Sequence, residues 1–189
     1  DGKGMEAKVI FENISEHKVD AQVISFEKNT SESPIHLTLY TSILKHESFD
    51  LVVQKATELG VYEIVPVIVA RTVKHAVRLE RLRQIAKEAA EQSGRGIVPQ
   101  IFEPINLGEA FTRAAAHDAN FFFEIGAPVM HKTKTSFKTV GLFVGPEGGW
   151  DEREVDRARK MAGCKIVGLG PLILRAETAV IVASYLVLS

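Results

Sequence analysis

The sequence has 189 residues, of which 46% are hydrophobic and 25% are charged, and its net charge is −1. This is the composition of an ordinary globular protein with one sizeable core. A single cysteine, Cys164, excludes an intrachain disulfide and a cysteine-based metal cluster, which fits a reducing compartment. The longest apolar stretch, residues 179–188, is about half of the ~20 residues that a membrane span requires, and no basic leader precedes an apolar segment. We therefore expect a cytoplasmic protein without a membrane anchor.

The N-terminal segment predicts a small β structure. Residues 5–11 (MEAKVIF) and 20–26 (DAQVISF) alternate apolar and polar side chains, which favours two antiparallel strands. Because two strands are too few for an independent sheet domain, we expect residues 1–33 to be the end of a β domain whose beginning is absent. The polar segment 27–34 ends at Pro34 and is typical of a linker.

From residue 34 onward, short apolar runs alternate with helical periods, which indicates a mostly parallel sheet covered by helices. The predicted strands are HLTLYTSIL, YEIVPVIV, a short segment near Ile101, ANFFFEIG, TVGLFVG and CKIVGLG. The predicted helices are FDLVVQKATEL, residues 79–92, residues 107–116, the segment after Gly149 and the C-terminal TAVIVASYLVLS. Ser48 is predicted to cap the first helix and Gly60 to end it. Pro66 predicts that its strand lies at an edge or carries a bulge.

Two segments are basic although the whole chain is not. Residues 71–95 contain seven Lys or Arg and three Glu, and residues 130–139 contain three Lys and no acid. Each segment is open to two interpretations, a solvated surface or a local contact to RNA phosphates.

Two glycine-containing loops follow neighbouring predicted strands. In the first, GPEGG (residues 145–149), Asp151 and Glu154 are predicted to form a capping box for the next helix, which Gly163 ends. The second begins with GLGP (residues 168–171) after the next strand. Because the carboxyl ends of parallel strands share one edge of a sheet, we expect both loops to flank one pocket. Neither loop is a dinucleotide fingerprint or a P-loop, so tight turns without a ligand are the alternative.

Four motifs in this order and spacing resemble those of the ribosomal RNA small-subunit methyltransferase E family. They are ATELGV (56–61), QSGR (92–95), GPEGG (145–149) and LGPLILRAETA (169–179). Members transfer a methyl group from S-adenosylmethionine to N3 of a uridine in 16S rRNA of the small ribosomal subunit. The resemblance implies a homodimer and a SPOUT-class α/β domain over residues 34–189 with a C-terminal trefoil knot. It also implies that residues 1–33 are the remnant of a PUA-like RNA-binding β-barrel.

The same resemblance implies roles for individual residues. Arg175 would be catalytic, stabilising charge on the uracil carbonyl oxygens as the N3 proton leaves; a structural ion pair with Glu177 is the alternative. The S-adenosylmethionine site would comprise Val144, Gly145, Pro146, Glu147, Gly148, Gly149, Leu169, Gly170, Ile173, Leu174 and Thr178. RNA or substrate contacts would come from Gln92, Ser93, Arg95, Lys132, Lys134 and Glu177. No metal is expected.

Two other functions are compatible with these residues. One is a SPOUT methyltransferase that acts on tRNA, and the other is a non-catalytic RNA- or nucleotide-binding module. A serine or metal hydrolase is excluded, because the sequence has no Gly-x-Ser-x-Gly motif and no histidine-containing ligand cluster. The family pattern more often has Arg-Thr-Glu-Thr where this chain has Ala176 within Arg-Ala-Glu-Thr, so one hydroxyl contact is in doubt.

Overall fold

A computed structural model describes residues 2–72, 77–132 and 137–189. An antiparallel two-stranded hairpin precedes an α/β domain built on a seven-stranded sheet whose strand pairs are all parallel. The strands are β1 (Met5–Ile14), β2 (Val19–Lys28), β3 (His36–Ser42), β4 (Glu63–Ile68), β5 (Gln100–Ile101), β6 (Ile105–Asn106), β7 (Ala119–Phe123), β8 (Thr139–Val144) and β9 (Cys164–Val167). The helices are α1 (His46–Leu59), α2 (Leu79–Ser93), α3 (Leu107–Ala114), α4 (Glu152–Lys160) and α5 (Ala176–Leu188). The predicted α/β class and parallel sheet are confirmed.

The order of the strands in the sheet is β5–β4–β3–β8–β7–β9. The short strand β6 pairs with the C-terminal end of β4, on the same side as β5. Helices cover both faces. One core contains apolar residues of α1, α2 and α5, and the other contains those of α3 and α4. The strand Ala119–Phe123 is buried throughout, and its one polar side chain, Asn120, donates to the carbonyl of Ala114. Because all pairs are parallel, the loops that follow β7, β8 and β9 emerge at the same edge of the sheet.

Two local predictions for the first helix have different outcomes. Gly60 ends α1 with φ 101° and a backbone N–H that donates to the last turn, as predicted. The prediction that Ser48 caps this helix is wrong. The helix already begins at His46, and Phe49 N donates to the carbonyl of Lys45, so Ser48 lies inside the first turn.

The position of Pro66 differs from both alternatives predicted for it. Its strand, β4, is interior, because it pairs with β3 on one side and with β5 and β6 on the other. Glu63 and Ile64 pair with β5, whereas Val67 and Ile68 pair with β6. Pro66 therefore lies at the break between two short partner strands, where a missing backbone donor is tolerated.

The hairpin is antiparallel as predicted and is connected to the α/β domain at its base. Gly4 N donates to the carbonyl of Gly96 at 2.7 Å, and the side chain of Asn29 donates to the carbonyl of Gly94 at 3.1 Å. Apolar side chains of the hairpin such as Phe11 and Phe26 are exposed. The predicted linker starts within β2, and its Glu32 is bound to the α/β domain, so this segment is fixed rather than free.

Candidate functional site

The loops after β8 and β9 form the walls of one pocket at the carboxyl edge of the sheet. The pocket encloses about 620 Å³, including its open mouth. It is lined by Phe123, Glu124, Ile125, Val144, Gly145, Pro146, Glu147, Gly149, Trp150, Leu169, Gly170, Leu172, Ile173, Leu174, Ala176 and Ala179. The prediction that the two loops flank one pocket is confirmed. Most of its lining is apolar side chains or glycine backbone, and two carboxylates, Glu124 and Glu147, interrupt it.

The loop after β8 is anchored by Trp150. The indole is buried, and its Nε1 donates to the carbonyl of Phe123 at 2.8 Å, which ties this loop to the end of β7. Gly149 has φ +69° and donates its N–H to the carbonyl of Pro146, closing a tight turn. The first turn of α4 follows directly, with Asp151 and Glu154 in the predicted capping box. The helix ends at Lys160 rather than at Gly163, which takes a positive φ in the turn beyond it.

The loop after β9 is held from the other side by the segment after β7. Gly168 N donates to the carbonyl of Pro128, and Met130 N donates to the carbonyl of Gly168. A Cβ at residue 168 would lie 2.5 Å from the carbonyl oxygen of Ala127, so only glycine fits there. Leu172 and Ile173 then project from the rim with 76% and 78% of their surface exposed.

Arg175 stands at the mouth of the pocket, at the start of α5. Its neighbours Leu174 and Ala176 both line the pocket, while its own side chain is 86% exposed. The nearest carboxylate oxygen, on Glu177, lies 3.9 Å from Nη1, which is a loose ion pair in an exposed position. The guanidinium is therefore available to a ligand. Thr178 is exposed in the first turn of α5 and does not line the pocket.

The two pocket carboxylates differ in environment. Glu124 is half-buried, and this burial raises its pKa above the usual value even though Arg159 and Arg71 oppose the shift. Glu147 is exposed on the loop after β8, and among the described residues none donates a hydrogen bond to its side chain.

Sequence reasoning missed the contribution of β7 and of Trp150 to this pocket. Phe123, Glu124 and Ile125 enter it because β7 lies between β8 and β9 in the sheet, although it precedes both in the chain. Gly148, which was predicted to bind the cofactor, does not line the pocket. Its carbonyl accepts a hydrogen bond from Arg71 on the outer side of the loop. The tryptophan next to the glycines was a usable signal, since a buried indole needs a partner for its N–H.

The QSGR segment does not reach the pocket, and the Arg95 side chain is bound to partners within the chain. The Arg95 guanidinium is 5% exposed, pairs with Glu32 at 2.8 Å, and donates to the carbonyls of Thr57 and Val61. Ser93 Oγ donates to the carbonyl of Ala89. The segment lies between α2 and β5, at the amino ends of the parallel strands, whereas the pocket lies at their carboxyl ends.

The basic segment around α2 is largely neutralised by partners from other elements and from its own helix. Arg81 pairs with Asp50 of α1, and Arg83 and Lys87 pair with Glu80 and Glu91. Gln92 lines a groove between α1 and α2, which also carries four carboxylates. They are Glu47, Asp50, Glu58 and Glu88. An acidic groove repels phosphate, which does not favour an RNA contact at Gln92; Ser93 and Arg95 do not line this groove.

Of the second basic segment, Lys132 is exposed and Lys134 lies outside the described residues. Within ranges 2–72, 77–132 and 137–189, no group of three His, Cys, Asp or Glu side chains is arranged to hold a metal ion. No helix in those ranges has the length and apolar character of a membrane span.

Comparisons with known proteins agree with this architecture. A family model described as an RNA methyltransferase domain matches residues 31–188. Ribosomal RNA small subunit methyltransferase E of Bacillus subtilis is 33% identical over 191 residues, which covers 93% of this chain and 74% of that protein. The structure of the Neisseria gonorrhoeae protein of the same name, bound to S-adenosylmethionine, superposes with a TM-score of 0.88 at 35% identity, covering 97% of this chain and 78% of that one. A putative methyltransferase from Legionella pneumophila, in complex with the same cofactor, has a TM-score of 0.82 at 28% identity over 97% of this chain and 78% of its own. The chain belongs to the ribosomal RNA small subunit methyltransferase E family.

Proposed function

We propose that this protein transfers a methyl group from S-adenosylmethionine to N3 of a uridine in 16S rRNA. The observation that supports this proposal most strongly is the pocket, whose lining includes residues of both GPEGG and LGPLILRAETA and both chain neighbours of Arg175. Both relatives with a bound cofactor share this fold over 97% of the present chain.

The residues that line the pocket fit the chemistry of S-adenosylmethionine. The apolar lining from Phe123, Leu169 and Leu174 suits an adenine ring. The backbone of Gly145 and Gly170 and the carbonyl of Gly149 are not obstructed by side chains, whereas the N–H of Gly149 already donates to Pro146. The carboxylates of Glu124 and Glu147 suit a ligand that carries a sulfonium and an ammonium group. The bound cofactor supplies a methyl group on a positively charged sulfur.

Arg175 is proposed to assist the uridine. N3 of uracil carries a proton, and when that proton leaves, negative charge spreads onto the two neighbouring carbonyl oxygens. A guanidinium directed at one of these oxygens stabilises that charge as it develops. The side chain is largely exposed and only loosely paired, so it can turn toward an incoming base without breaking a buried contact.

We also propose the finer architecture and partners of the family for this chain. Two contacts support a trefoil knot. Gly168 forms backbone hydrogen bonds with the segment after β7. The chain then continues into α5, and this helix packs against α1, β3 and β8. Residues 1–33 are proposed to belong to a PUA-like RNA-binding β domain, and residues 34–189 are proposed to form the SPOUT domain. A homodimer is supported by the partly uncovered apolar helix α5, on which Tyr185 is exposed. The cytoplasm, where ribosomal subunits form, is the proposed location, and exposed Lys132, together with Lys134, is the proposed RNA contact outside the pocket.

A methyl-transfer assay tests the function and separates it from the alternatives. The protein is incubated with methyl-tritiated S-adenosylmethionine and, in parallel, with 30S subunits, naked 16S rRNA or total tRNA. We expect label in 30S subunits or 16S rRNA and none in tRNA. Label in tRNA alone would favour a tRNA methyltransferase, and binding without label would favour a non-catalytic module.

A further inference from the structure

The loop that follows β4 braces the outer side of the GPEGG loop. Arg71 Nη1 donates to the carbonyl of Gly148 at 2.6 Å, across 77 positions of sequence. The aliphatic stem of the same side chain lies over Gly148, with Cδ 3.5 Å from the position that a Cβ there would take. The peptide between Gly148 and Gly149 is thus held at both ends, because its N–H donates to the carbonyl of Pro146.

A second contact joins the same two loops. Ala70 N donates to Oε1 of Glu154 at 2.8 Å, and the other oxygen of this carboxylate accepts from Asp151 N at 2.9 Å. Glu154 is only 8% exposed, so these bonds are shielded from water. The brace therefore consists of neighbouring residues, Ala70 and Arg71, that contact the start of α4 and the glycine loop.

The loop after β4 is itself fixed. Thr72 N donates to the carbonyl of Val69, and Val69 N donates to Oγ1 of Thr72, which also contacts Oγ of Ser42 at the end of β3. Arg71 thus extends from a tight turn that is tied to the central sheet. A side chain that starts from a fixed backbone can hold its partner in one orientation.

We propose that Arg71 is a positioning residue for the cofactor pocket. By holding the Gly148–Gly149 peptide, it sets the orientation of the turn that presents Glu147 and the Gly149 backbone to the pocket. This inference rests on the proposed function, since it assigns the pocket to S-adenosylmethionine. Arg71 does not line the pocket, and it acts through the loop.

The exposed position of Arg71 suggests a different role, a contact to RNA phosphate, which predicts different behaviour. A positioning residue affects the binding of S-adenosylmethionine in the absence of RNA. If Arg71 instead contacts an RNA phosphate, its substitution leaves S-adenosylmethionine binding unchanged. It then lowers the affinity for RNA and makes that affinity less dependent on salt. The hydrogen bond to Gly148, rather than an open side chain, favours the positioning role.

The test is isothermal titration of the full chain with S-adenosylmethionine, without RNA, for the wild type, Arg71→Ala, Arg71→Lys and Arg153→Ala. Arg153 is the matched control, because it is an exposed arginine that lines the same surface recess as Arg71. Loss of a charge-assisted hydrogen bond is expected to weaken binding about 10-fold in Arg71→Ala. Arg71→Lys keeps one donor and is expected to be weakened less, and Arg153→Ala is expected to bind like the wild type.

Steady-state methylation adds a second readout. In Arg71→Ala, KM for S-adenosylmethionine is expected to rise about 10-fold while kcat at saturating cofactor stays close to that of the wild type. Equal affinity in Arg71→Ala and wild type would overturn the inference, and so would a loss confined to RNA binding. If Arg71→Ala does not fold, Arg71→Lys and the neutral variant Arg71→Gln are titrated with S-adenosylmethionine in its place. Wild-type affinity in both of these variants would overturn the inference. Failure of the wild type to bind S-adenosylmethionine would instead overturn the proposed function.

Discussion

Trp150 packs directly against the α-carbon of Gly145: a Cβ at residue 145 would lie 2.9 Å from Cε2 of the indole. The first glycine of GPEGG is therefore required by the tryptophan that anchors the loop, and not only by a ligand that approaches the backbone. Gly148, in contrast, would place a Cβ 3.5 Å from Arg71 Cδ, an ordinary contact, and its φ is not positive.

This difference predicts unequal effects of two alanine substitutions in one loop. Gly145→Ala is expected to lower the free energy of unfolding by about 1–3 kcal/mol, because the indole must shift to admit a methyl group. It should also weaken S-adenosylmethionine binding. Gly148→Ala is expected to stay within about 0.5 kcal/mol of the wild type. Urea denaturation measures both, and equal stability of the two variants would contradict the role assigned to Trp150.

Arg95 is predicted to act on stability and not on RNA binding. Arg95→Ala leaves the Glu32 carboxylate without its cation, with only the N–H of Ile97 still donating to it, and removes a donor from the carbonyls of Thr57 and Val61. The free energy of unfolding is therefore expected to fall by about 3 kcal/mol. The exposed pair of Arg83 and Glu80 provides the control, since Arg83→Ala is expected to cost less than about 1 kcal/mol. Urea denaturation is again the measurement. A folded, fully stable Arg95→Ala variant with reduced RNA affinity would show that the original interpretation of QSGR was right.

Arg175 is predicted to act on the chemical step. Arg175→Ala removes a largely exposed side chain, so stability and S-adenosylmethionine affinity are expected to stay close to those of the wild type. The rate of methyl transfer is expected to fall by about 10²–10³-fold, the usual effect of losing one group that stabilises developing charge. The initial rate of tritium transfer to 30S subunits measures this. A rate within threefold of the wild type would contradict a catalytic role of Arg175 and favour the structural ion pair with Glu177.

The Glu124 carboxylate is predicted to lower the stability of the folded protein at neutral pH. Burial raises its folded pKa above the unfolded value, so the folded state holds the proton more tightly, and this favourable contribution is lost as pH rises through the folded pKa. Glu124→Gln is therefore expected to be at least as stable as the wild type at pH 7, with a difference that shrinks as pH falls toward 4. Its affinity for S-adenosylmethionine is expected to be lower, because a carboxylate facing a cation is lost. Urea midpoints at both pH values and titration calorimetry check these outcomes, and unchanged affinity in Glu124→Gln would remove this residue from the site.

The periodicity of the sequence predicted the α/β class, the strands other than the short β6, and the edge of the sheet at which the pocket lies. These features depend on local patterns, such as apolar runs that end at glycine, as at Gly145 and Gly168. The capping box of Asp151 and Glu154 was predictable for the same reason, because both partners lie within one turn.

Features that depend on distant partners could not be predicted. The strand order brings Glu124 into the pocket, and no local pattern encodes the position of β7 between β8 and β9. The charge count over residues 71–95 treated each cation as free, whereas Arg81 is neutralised by Asp50 of another helix and Arg95 by Glu32 of the linker. Arg71 belonged to that count, and only the folded chain relates it to Gly148.

We propose that two loops at one edge of the sheet hold a methyl donor beside Arg175 for transfer to an rRNA uridine. Mass-spectrometric mapping of 16S rRNA tests it most directly, in cells lacking this protein and in the same cells given back the wild type or Arg175→Ala. We predict that one 3-methyluridine disappears with the protein, returns with the wild type and does not return with the variant. An unchanged set of methylated uridines in the deletion cells would contradict the claim.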